Sequence, residues 1–206
     1  MCCRYCLEKD LPELEEVIDE VLLSALTARF IATHARPLIT DGEVCPTDIV
    51  PVIAPNRAGV KSAFPMQWGF LSADNKRTLF NARVESAAFK PAFKDAWNSH
   101  RCIVPASCYY EWEHFKSPDG RVKTGRRYTI QPAGSTVTWL CGLYRIEENY
   151  PVFVILTREA VGELSSIHDR MPLMLPKEKI DSWIDPKTSP EELVRFALSD
   201  MIMESN

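Results

Sequence analysis

The sequence predicts one α+β domain over residues 2–206, built on an antiparallel, partly barrel-like β-sheet with peripheral helices. Short β-rich segments bounded by Pro, Gly, Asn or Asp follow one another through the middle of the chain, which is typical of consecutive strands. An amphipathic helix precedes them, and short helical segments lie mostly after them. The chain has 206 residues, 46% hydrophobic and 25% charged, which is the composition of a globular protein with a substantial core.

The N-terminal helix is predicted from apolar residues that recur at helical spacing between Leu11 and Ala25. Glu13, Glu16 and Glu20 lie on the opposite side, so an apolar stripe can dock on the domain while an acidic face meets solvent. The pattern predicts a single helix of roughly fifteen residues.

The other elements are predicted from β-branched and aromatic segments and from helix start signals. Strands are expected at residues 50–54, 63–70, 101–105, 109–112, 127–131, 137–144 and 152–157. Helices are expected at residues 84–88, again after Pro91, and at residues 158–165, 176–184 and 190–198. The last helix has a clear start signal, because Ser189 is at the N-cap position and Pro190 at the first helical position.

Composition also limits the class of protein. Acidic residues begin at Glu8 and no apolar segment approaches the length of a membrane span, so we expect a cytoplasmic protein without membrane contact. Seven cysteines, an odd number without a signal peptide, argue against a disulfide framework. Cys3 and Cys6 have the spacing of a zinc knuckle, but no second pair at zinc spacing follows. We therefore expect neither a metal nor another cofactor.

Charge is unevenly distributed along the chain. The net charge of −4 is weak evidence against nucleic-acid binding. Residues 57–101, however, contain eight basic and three acidic side chains and are therefore +5, whereas residues 8–20 are strongly acidic. A local basic surface can hold a phosphate chain whatever the overall sign. A solvated surface of mixed charge is the alternative.

Cys2 is the candidate nucleophile. Because a small residue follows Met1, Met1 is a candidate for removal, and Cys2 would then have both an α-amine and a thiol. The amine, whose pKa lies near ~7.7–8.0, can condense with an aldehyde to an imine, and the neighbouring thiol can close a five-membered thiazolidine ring. The alternative is an incidental cysteine in a frayed terminus.

Glu111 and His168 are candidates for proton transfer. Glu111 lies among aromatic residues in a predicted strand, and such surroundings raise the pKa of a carboxyl. The alternative is a glutamate on the solvent face of that strand. His168 follows a predicted helix and precedes Asp169 and Arg170, so it could shuttle protons or could be an ordinary loop histidine.

Asn81, Arg83 and Glu85 place an amide, a guanidinium and a carboxylate within five residues. Arg83 is suited to bidentate phosphate binding, and a salt bridge with Glu85 is the alternative. Trp68 could present its indole for stacking on a base, although a core position is the more common outcome for such a residue.

Together and in this order, these motifs resemble the SRAP family (SOS-response-associated peptidase), whose members begin Met-Cys-Gly-Arg. The matching segments are Met1-Cys2-Cys3-Arg4-Tyr5, Pro46-Thr47, Trp68-Gly69, Asn81-Ala82-Arg83-Val84-Glu85, Arg101-Cys102-Ile103-Val104-Pro105, Tyr110-Glu111-Trp112 and Ile167-His168-Asp169-Arg170-Met171-Pro172. They span most of the chain, which makes the resemblance strong.

The resemblance implies a compact β-rich fold with a positively charged groove for single-stranded DNA, and covalent trapping of abasic sites through Cys2. It further implies that Asn81 positions the N-terminus and the sugar, that Glu111 holds the α-amine and moves its proton, and that His168 promotes opening of the sugar ring. Autopeptidase and abasic-site lyase activities are implied as well. The implied DNA contacts are two phosphate clamps and four groove residues: Arg4 and Arg83, then Pro46, Trp68, Thr157 and Arg170.

Two positions depart from the family pattern. Cys3 and Cys108 stand where family members have glycine, and glycine permits backbone angles and close approaches that cysteine does not. The turn behind the nucleophile can therefore differ, and a nearby thiol could compete with Cys2 or become oxidised.

Three functions follow from these residues. The first is a monomeric enzyme that crosslinks itself to abasic sites in single-stranded DNA. The second is a thiol peptidase or amidase that uses Cys2 on external substrates. The third is a non-catalytic module that binds single-stranded DNA.

Overall fold

The computed structural model of the chain describes residues 3–117 and 119–205. Its strands are β1 (Tyr5–Leu7), β2 (Gly42–Val44), β3 (Ile49–Pro55), β4 (Lys61–Trp68), β5 (Phe70–Leu71), β6 (Thr78–Leu79), β7 (Asn81–Arg83), β8 (Arg101–Ala106), β9 (Cys108–Lys116), β10 (Val122–Pro132), β11 (Thr138–Glu147), β12 (Tyr150–Glu159), β13 (Arg170–Pro172) and β14 (Met201–Ser205). Its α-helices are α1 (Pro12–Leu22), α2 (Ala25–His34), α3 (Val84–Ala87), α4 (Lys94–Ser99), α5 (Ile180–Ile184) and α6 (Pro190–Val194). Short 3₁₀ helices occupy Gly162–Ser166 and Lys177–Lys179.

Five strands close into a barrel. The order β11-β8-β3-β4-β12 returns to its start because β12 also pairs with β11. The contact between β4 and β12 is parallel, whereas the other neighbours in the ring are antiparallel. Apolar side chains on both faces of these strands are buried, including Val52, Ile103, Leu140 and Val154. This confirms the predicted α+β class with a partly barrel-like sheet.

A second sheet places the N-terminal segment in a central position. Its strand order is β14-β10-β9-β1-β2, and all the pairings of β1, β9 and β10 within it are antiparallel. Tyr5 of β1 faces Tyr109 of β9, and neither side chain is exposed. The residues that follow Cys2 therefore lie on an inner strand, where both edges form hydrogen bonds.

Gly69 ends β4 in a way that only glycine accommodates. Its φ is +130°, and a Cβ atom built there would lie 2.4 Å from Cγ2 of Thr78. Its amide donates to the carbonyl of Phe153 at 2.7 Å. The single strand expected at residues 63–70 is therefore divided at this position, into β4 and β5.

The N-terminal helical region consists of two helices instead of one. Leu14, Ile18 and Val21 of α1 are buried, as the apolar spacing predicts. The chain then turns at Ser24, whose hydroxyl accepts the amide of Leu26 at 3.2 Å and caps α2. The prediction of a single helix to residue 25 was wrong because a local cap starts a second helix.

Other element boundaries differ where local signals are weak. Residues 158–159 continue β12, and the predicted helix at 158–165 is replaced by the 3₁₀ turn at Gly162–Ser166. The helix expected at 190–198 ends at Val194, and Ser189 donates its hydroxyl to Glu191 at 2.9 Å instead of capping a backbone amide. The remaining strand and helix predictions are confirmed within a few residues. The short β1, β2 and β14 were not predicted, because each becomes a strand through hydrogen bonds to a partner that is distant in the sequence.

Within the described residues, none of the helices has both the length and the apolar character needed to span a membrane.

Candidate functional site

Cys2, the predicted nucleophile, lies outside the described residues, as does Met1. The structure does place the residues that follow. Cys3 is half-buried, and the carbonyl of Arg4 accepts the amide of Tyr110 at 3.0 Å. Burial raises the pKa of the Cys3 thiol, and the nearby carboxylate of Glu111 raises it further. Cys3 thus lies close to Glu111.

Glu111 is buried inside the second sheet. It lies on β9 opposite Tyr128, and only 2% of its surface is exposed. Strand alternation puts it on the same face as Tyr109, whose side chain is fully buried. Burial is the main reason that its pKa is raised to about 7. The raised pKa is confirmed, and the alternative of a solvent-facing glutamate is excluded.

Asp169, which follows His168 in the loop before β13, approaches the same carboxyl group. The charge of Asp169 adds to the effect of burial in raising the pKa of Glu111, which requires the two carboxyl groups to be close. The imidazole of His168 is 13% exposed, and burial lowers its pKa below the ordinary 6.5. The structure therefore brings Cys3, Glu111, His168 and Asp169 together from three separate parts of the chain.

The tautomer of His168 follows from its contacts. Its Nδ1 lies 2.9 Å from the amide of Arg170 and 2.8 Å from Oδ1 of Asp169, and one nitrogen cannot accept from the first while donating to the second. Because the amide N–H of Arg170 points at Nδ1, this nitrogen is the acceptor in the neutral ring that burial favours, and the ring proton resides on Nε2. On protonation of the ring, Asp169 becomes the acceptor. The loop thus supplies a partner for both states of His168.

Asn81 and Arg83 lie on β7, which runs parallel to β12. Ala82 between them is buried, so alternation turns Asn81 and Arg83 to the other side. Asn81 is half-buried and Arg83 exposed. Arg83 pairs with Thr157 on β12, and Thr157 pairs in turn with Pro172 on β13. With strands about 4.8 Å apart, β7 lies only two strand spacings from the segment that holds His168.

Arg170 fastens this arrangement. Its guanidinium donates to both carboxylate oxygens of Glu85 at 2.9 and 2.8 Å, and to the carbonyl of Thr157 at 2.7 Å. Although partial burial acts to raise it, these hydrogen bonds lower the pKa of Glu85. The salt bridge considered between Glu85 and Arg83 is therefore made by Arg170 instead, and Arg170 joins β13 to α3.

Three of the predicted groove contacts are interior residues. Trp68 is fully buried between Tyr5 and Phe153, and its indole N–H donates to the carbonyl of Phe80 at 2.8 Å. Thr157 is fully buried, and Arg170 is 6% exposed and bonded as described. This burial disagrees with a groove-contact role for these side chains, because direct contact with DNA would require them to leave the core. Their contribution is to pack and hydrogen-bond the strands that carry the site residues.

Pro46 belongs to a constrained turn between β2 and β3 and is itself partly exposed. The next residue, Thr47, has a φ of +77°, which is unusual for a β-branched residue. Arg36 donates to the hydroxyl and the carbonyl of Thr47 at 2.8 and 3.1 Å. The amide of Thr47 donates to the carbonyl of Trp68 at 2.9 Å. These bonds hold the strained turn in place, so Pro46 is presented at a fixed position.

Arg4 shares its carboxylate partner with a second arginine. Glu43 accepts hydrogen bonds from Arg4 and, at 3.2 Å, from Arg127. The Arg127 guanidinium also lies 4.5 Å from the centre of the Tyr110 ring. Both arginines keep more than a third of their side chains exposed. Two cations on one carboxylate leave a net positive surface beside the N-terminal segment.

Sequence reasoning missed several neighbours of the predicted residues. The ring of His114 lies edge-on to His168, with centroids 5.7 Å apart, and Arg127 and Tyr110 form the cation–π pair. The basic pair Arg126-Arg127 was a visible signal, but its register against β9 was not. Conversely, Arg101 belongs to the basic segment yet is 1% exposed, with its guanidinium bonded to backbone carbonyls such as that of Trp183 at 2.6 Å. It adds nothing to a surface.

Among the residues with described positions, no three His, Cys, Asp or Glu side chains converge so as to hold a metal ion.

The chain is similar to known proteins in both sequence and fold. The family model described as SOS response associated peptidase (SRAP) matches residues 1–205. The abasic site processing protein YoaM of Bacillus subtilis is 34% identical over 144 residues, which are 65% of this chain and 61% of that protein. The abasic site processing protein YedK of Escherichia coli is 30% identical over 145 residues, or 67% and 62% of the two chains. The chain thus spans about three fifths of the length of these curated relatives.

A solved structure supports the fold. A phage-related protein from Bordetella bronchiseptica superposes with a TM-score of 0.73 at 21% identity, covering 100% of this chain and 94% of that one.

Proposed function

Because the chain belongs to the SOS response associated peptidase (SRAP) family, we propose that it processes abasic sites by capturing them covalently in single-stranded DNA through Cys2. The observation that best supports this proposal is the buried Glu111 carboxyl, with its pKa near 7, beside the segment that follows Cys2. A group that gains and loses a proton near neutral pH, held next to an N-terminal amine and thiol, suits aldehyde chemistry. The curated relatives are named for abasic-site processing.

The proposed reaction begins with removal of Met1, which frees the α-amine of Cys2. The amine attacks the aldehyde of the ring-opened abasic sugar, and loss of water gives an imine. The thiol sulfur then adds to the imine carbon while the imine nitrogen takes up a proton, and a thiazolidine ring results. The removal of Met1 is the self-directed peptidase step, and the same imine provides the route to strand cleavage.

Each site residue has a role in this scheme. Glu111 holds the amine and transfers its proton, since its pKa lies close to that of the group it serves. His168, neutral and with its proton on Nε2, acts as acid and base on the sugar. Asn81 positions the N-terminus and the sugar.

Binding of the DNA strand falls to the exposed side chains. Arg83 on β7 and Arg4 beside Glu43 bind phosphates, and Pro46 contacts the strand at its fixed turn. Arg127 and the Tyr110 ring next to it add a cationic and aromatic surface on which a base can stack. We propose that the protein acts as a monomer.

One incubation tests the proposal. The full chain, first weighed by intact mass spectrometry to establish the loss of Met1, is mixed with single-stranded DNA that contains one abasic site. We expect an adduct that survives denaturation, and we expect Cys2→Ala to abolish it. Cys3→Ser is the matched control, because it removes the neighbouring thiol and leaves the amine and thiol of Cys2.

Three results would contradict the proposal. An adduct that persists in Cys2→Ala would place the chemistry on another residue. Binding that is sensitive to salt but never covalent would favour a non-catalytic single-strand binding module, and turnover of unrelated peptides would favour an external peptidase.

A further inference from the structure

A pair of thiols outside the proposed reaction lies beside the N-terminal strand. Cys6 on β1 and Cys108 on β9 are directly opposite each other in the antiparallel pairing. Directly opposite residues in such a pair have Cα atoms about 4.5 or 5.5 Å apart. Disulfides require a Cα separation of about 4.4–6.8 Å. The backbone register therefore meets the geometric requirement for a bond between the two sulfurs.

The side chains already point at each other. Tyr5 and Tyr109, their neighbours on the two strands, are buried on the inner face, so Cys6 and Cys108 share the outer face. The two thiols and the Tyr110 hydroxyl lie close enough for each to shift the pKa of the others, and the Cys6 thiol donates to the carbonyl of Leu7 at 3.7 Å. Both cysteines are in the reduced state, with Cys6 partly exposed and Cys108 5% exposed.

The two thiols differ in acidity. The neighbouring Cys108 thiol is the largest cause lowering the pKa of Cys6 to about 7, and Tyr110 contributes in the same direction. The neighbouring Cys6 thiol, together with burial, raises the pKa of Cys108. At neutral pH a substantial fraction of Cys6 is therefore thiolate, the form that attacks an oxidant, while Cys108 keeps its proton.

We propose that Cys6 and Cys108 form an oxidisable dithiol, which hydrogen peroxide or an organic hydroperoxide converts to a reversible disulfide between β1 and β9. The Cys6 thiolate attacks one peroxide oxygen and the O–O bond breaks, which gives a sulfenic acid on Cys6; the other oxygen takes a proton and leaves as water from hydrogen peroxide, or as an alcohol from an organic hydroperoxide. The Cys108 sulfur then attacks the Cys6 sulfur. The S–O bond breaks, the oxygen leaves with the Cys108 proton as water, and two thiols have lost two electrons to one peroxide.

The disulfide would fasten the strand that leads out of the proposed site. It joins residues 6 and 108 and closes a long loop, and such a link restricts the unfolded chain strongly. Neither cysteine has a role in the reaction proposed for Cys2. The proposal of an oxidisable dithiol and the proposal of DNA capture can therefore be tested independently.

The test uses the full chain without DNA. Reductant is removed, hydrogen peroxide is added, remaining thiols are alkylated, and peptides are mapped without reduction. We expect one major linked peptide, Cys6 with Cys108, that disappears when dithiothreitol is added. We also expect the thermal midpoint of the oxidised protein to rise by about 5 °C or more. Cys102 and Cys141 lie close to each other and are completely buried, so they should stay reduced and serve as the internal control.

Variants identify the order of the steps. In Cys108→Ser the sulfenic acid on Cys6 has no resolving thiol, so a dimedone adduct should accumulate at Cys6. In Cys6→Ser no oxidation of Cys108 is expected. A map in which Cys6 and Cys108 remain alkylated, or in which Cys3 is linked to Cys6 or Cys45 instead, would overturn the proposal. The wild-type map decides the question even where a variant folds poorly.

Discussion

At the scale of single residues, burial gives Glu111 its chemistry. Glu111 is a residue of β9 with 2% of its surface exposed, and desolvation raises the pKa of its carboxyl to about 7. An exposed glutamate would be ionised throughout the physiological range and could not donate a proton. The location of Glu111 in the strand therefore converts an ordinary acid into a group that gains and loses its proton near neutral pH.

Replacing Glu111 with glutamine should slow adduct formation by about 100-fold, because the amide keeps the shape of the side chain but cannot transfer a proton. Affinity for the abasic single strand should change little. Rates follow from quenched denaturing gels and affinities from fluorescence anisotropy. Glu113→Gln, a change of the same kind on the same strand, is the control. Loss of affinity in Glu111→Gln would show that the residue is structural.

The raised pKa of Glu111 also predicts how stability depends on pH. Between its ordinary value of 4.5 and about 7, the unfolded chain has released a proton that the folded chain retains. Unfolding then releases a proton, so the free energy of unfolding falls as pH rises through this range. At about 1.4 kcal/mol per unit, the loss is about 3–4 kcal/mol and is complete above the folded pKa.

Urea denaturation of the wild type and Glu111→Gln at several pH values measures this effect. The variant lacks the titrating group, so its stability relative to the wild type should increase from about pH 4 to about pH 8. A difference that does not vary with pH would contradict the raised pKa.

At the scale of elements, short connections position the site residues. β12 is flanked by β7 and β13, and Arg170 links β13 to Glu85 at α3. The break at Gly69 frees the chain to leave β4 and return as β7 at another position along β12. The strand that holds Asn81 and the segment that follows His168 depend on these connections for their places on either side of β12.

Replacing Gly69 with alanine should destabilise the protein by about 3 kcal/mol or more, because the φ of +130° is combined with a collision against Thr78 at 2.4 Å. Gly59→Ala is the matched control, since Gly59 also has a positive φ of +78° but open space around it. We expect that change to cost about 1 kcal/mol. Urea denaturation measures both, and equal losses would show that the collision is relieved by small shifts.

At the scale of the whole molecule, local charge outweighs the net charge. The chain is −4 overall, and the acidic face of α1 contributes to that sign. Arg83, Arg4 and Arg127 are exposed at or near the proposed site, whereas Arg101 is withdrawn into the core. A DNA strand would respond to the arginines near it, since charges beyond about 8–10 Å are largely screened at physiological salt.

Replacing Arg83 with alanine should weaken binding to single-stranded DNA and lower the slope of log K against log salt by about 0.7, the value for one lost phosphate contact. Affinities measured by anisotropy across a salt series give the slope. Arg57→Ala is the control, because Arg57 lines a cavity with Leu26 and Phe64 instead of the site. An unchanged slope in Arg83→Ala would rule out its phosphate role.

The class of fold, the positions of most long strands and the proposed chemistry could be predicted from local sequence patterns and motifs. Strand alternation and turn residues are local properties, so β3, β8, β11 and β12 could be located without neighbours. Asn81, Glu111 and His168 were identified from their motifs, and the raised pKa of Glu111 from its aromatic surroundings.

The pairing of the strands and the burial of particular polar groups could not be predicted locally and are seen only in the folded chain. Strand register brings Cys6 to Cys108, Arg127 to Tyr110 and the loop of His168 to Glu111, across separations that no local pattern encodes. It also assigned Arg170 to Glu85 and withdrew Trp68 and Thr157 from the surface. The physical reason is that burial and pairing depend on contacts between distant segments, whereas periodicity and turn preference depend on neighbours in the chain.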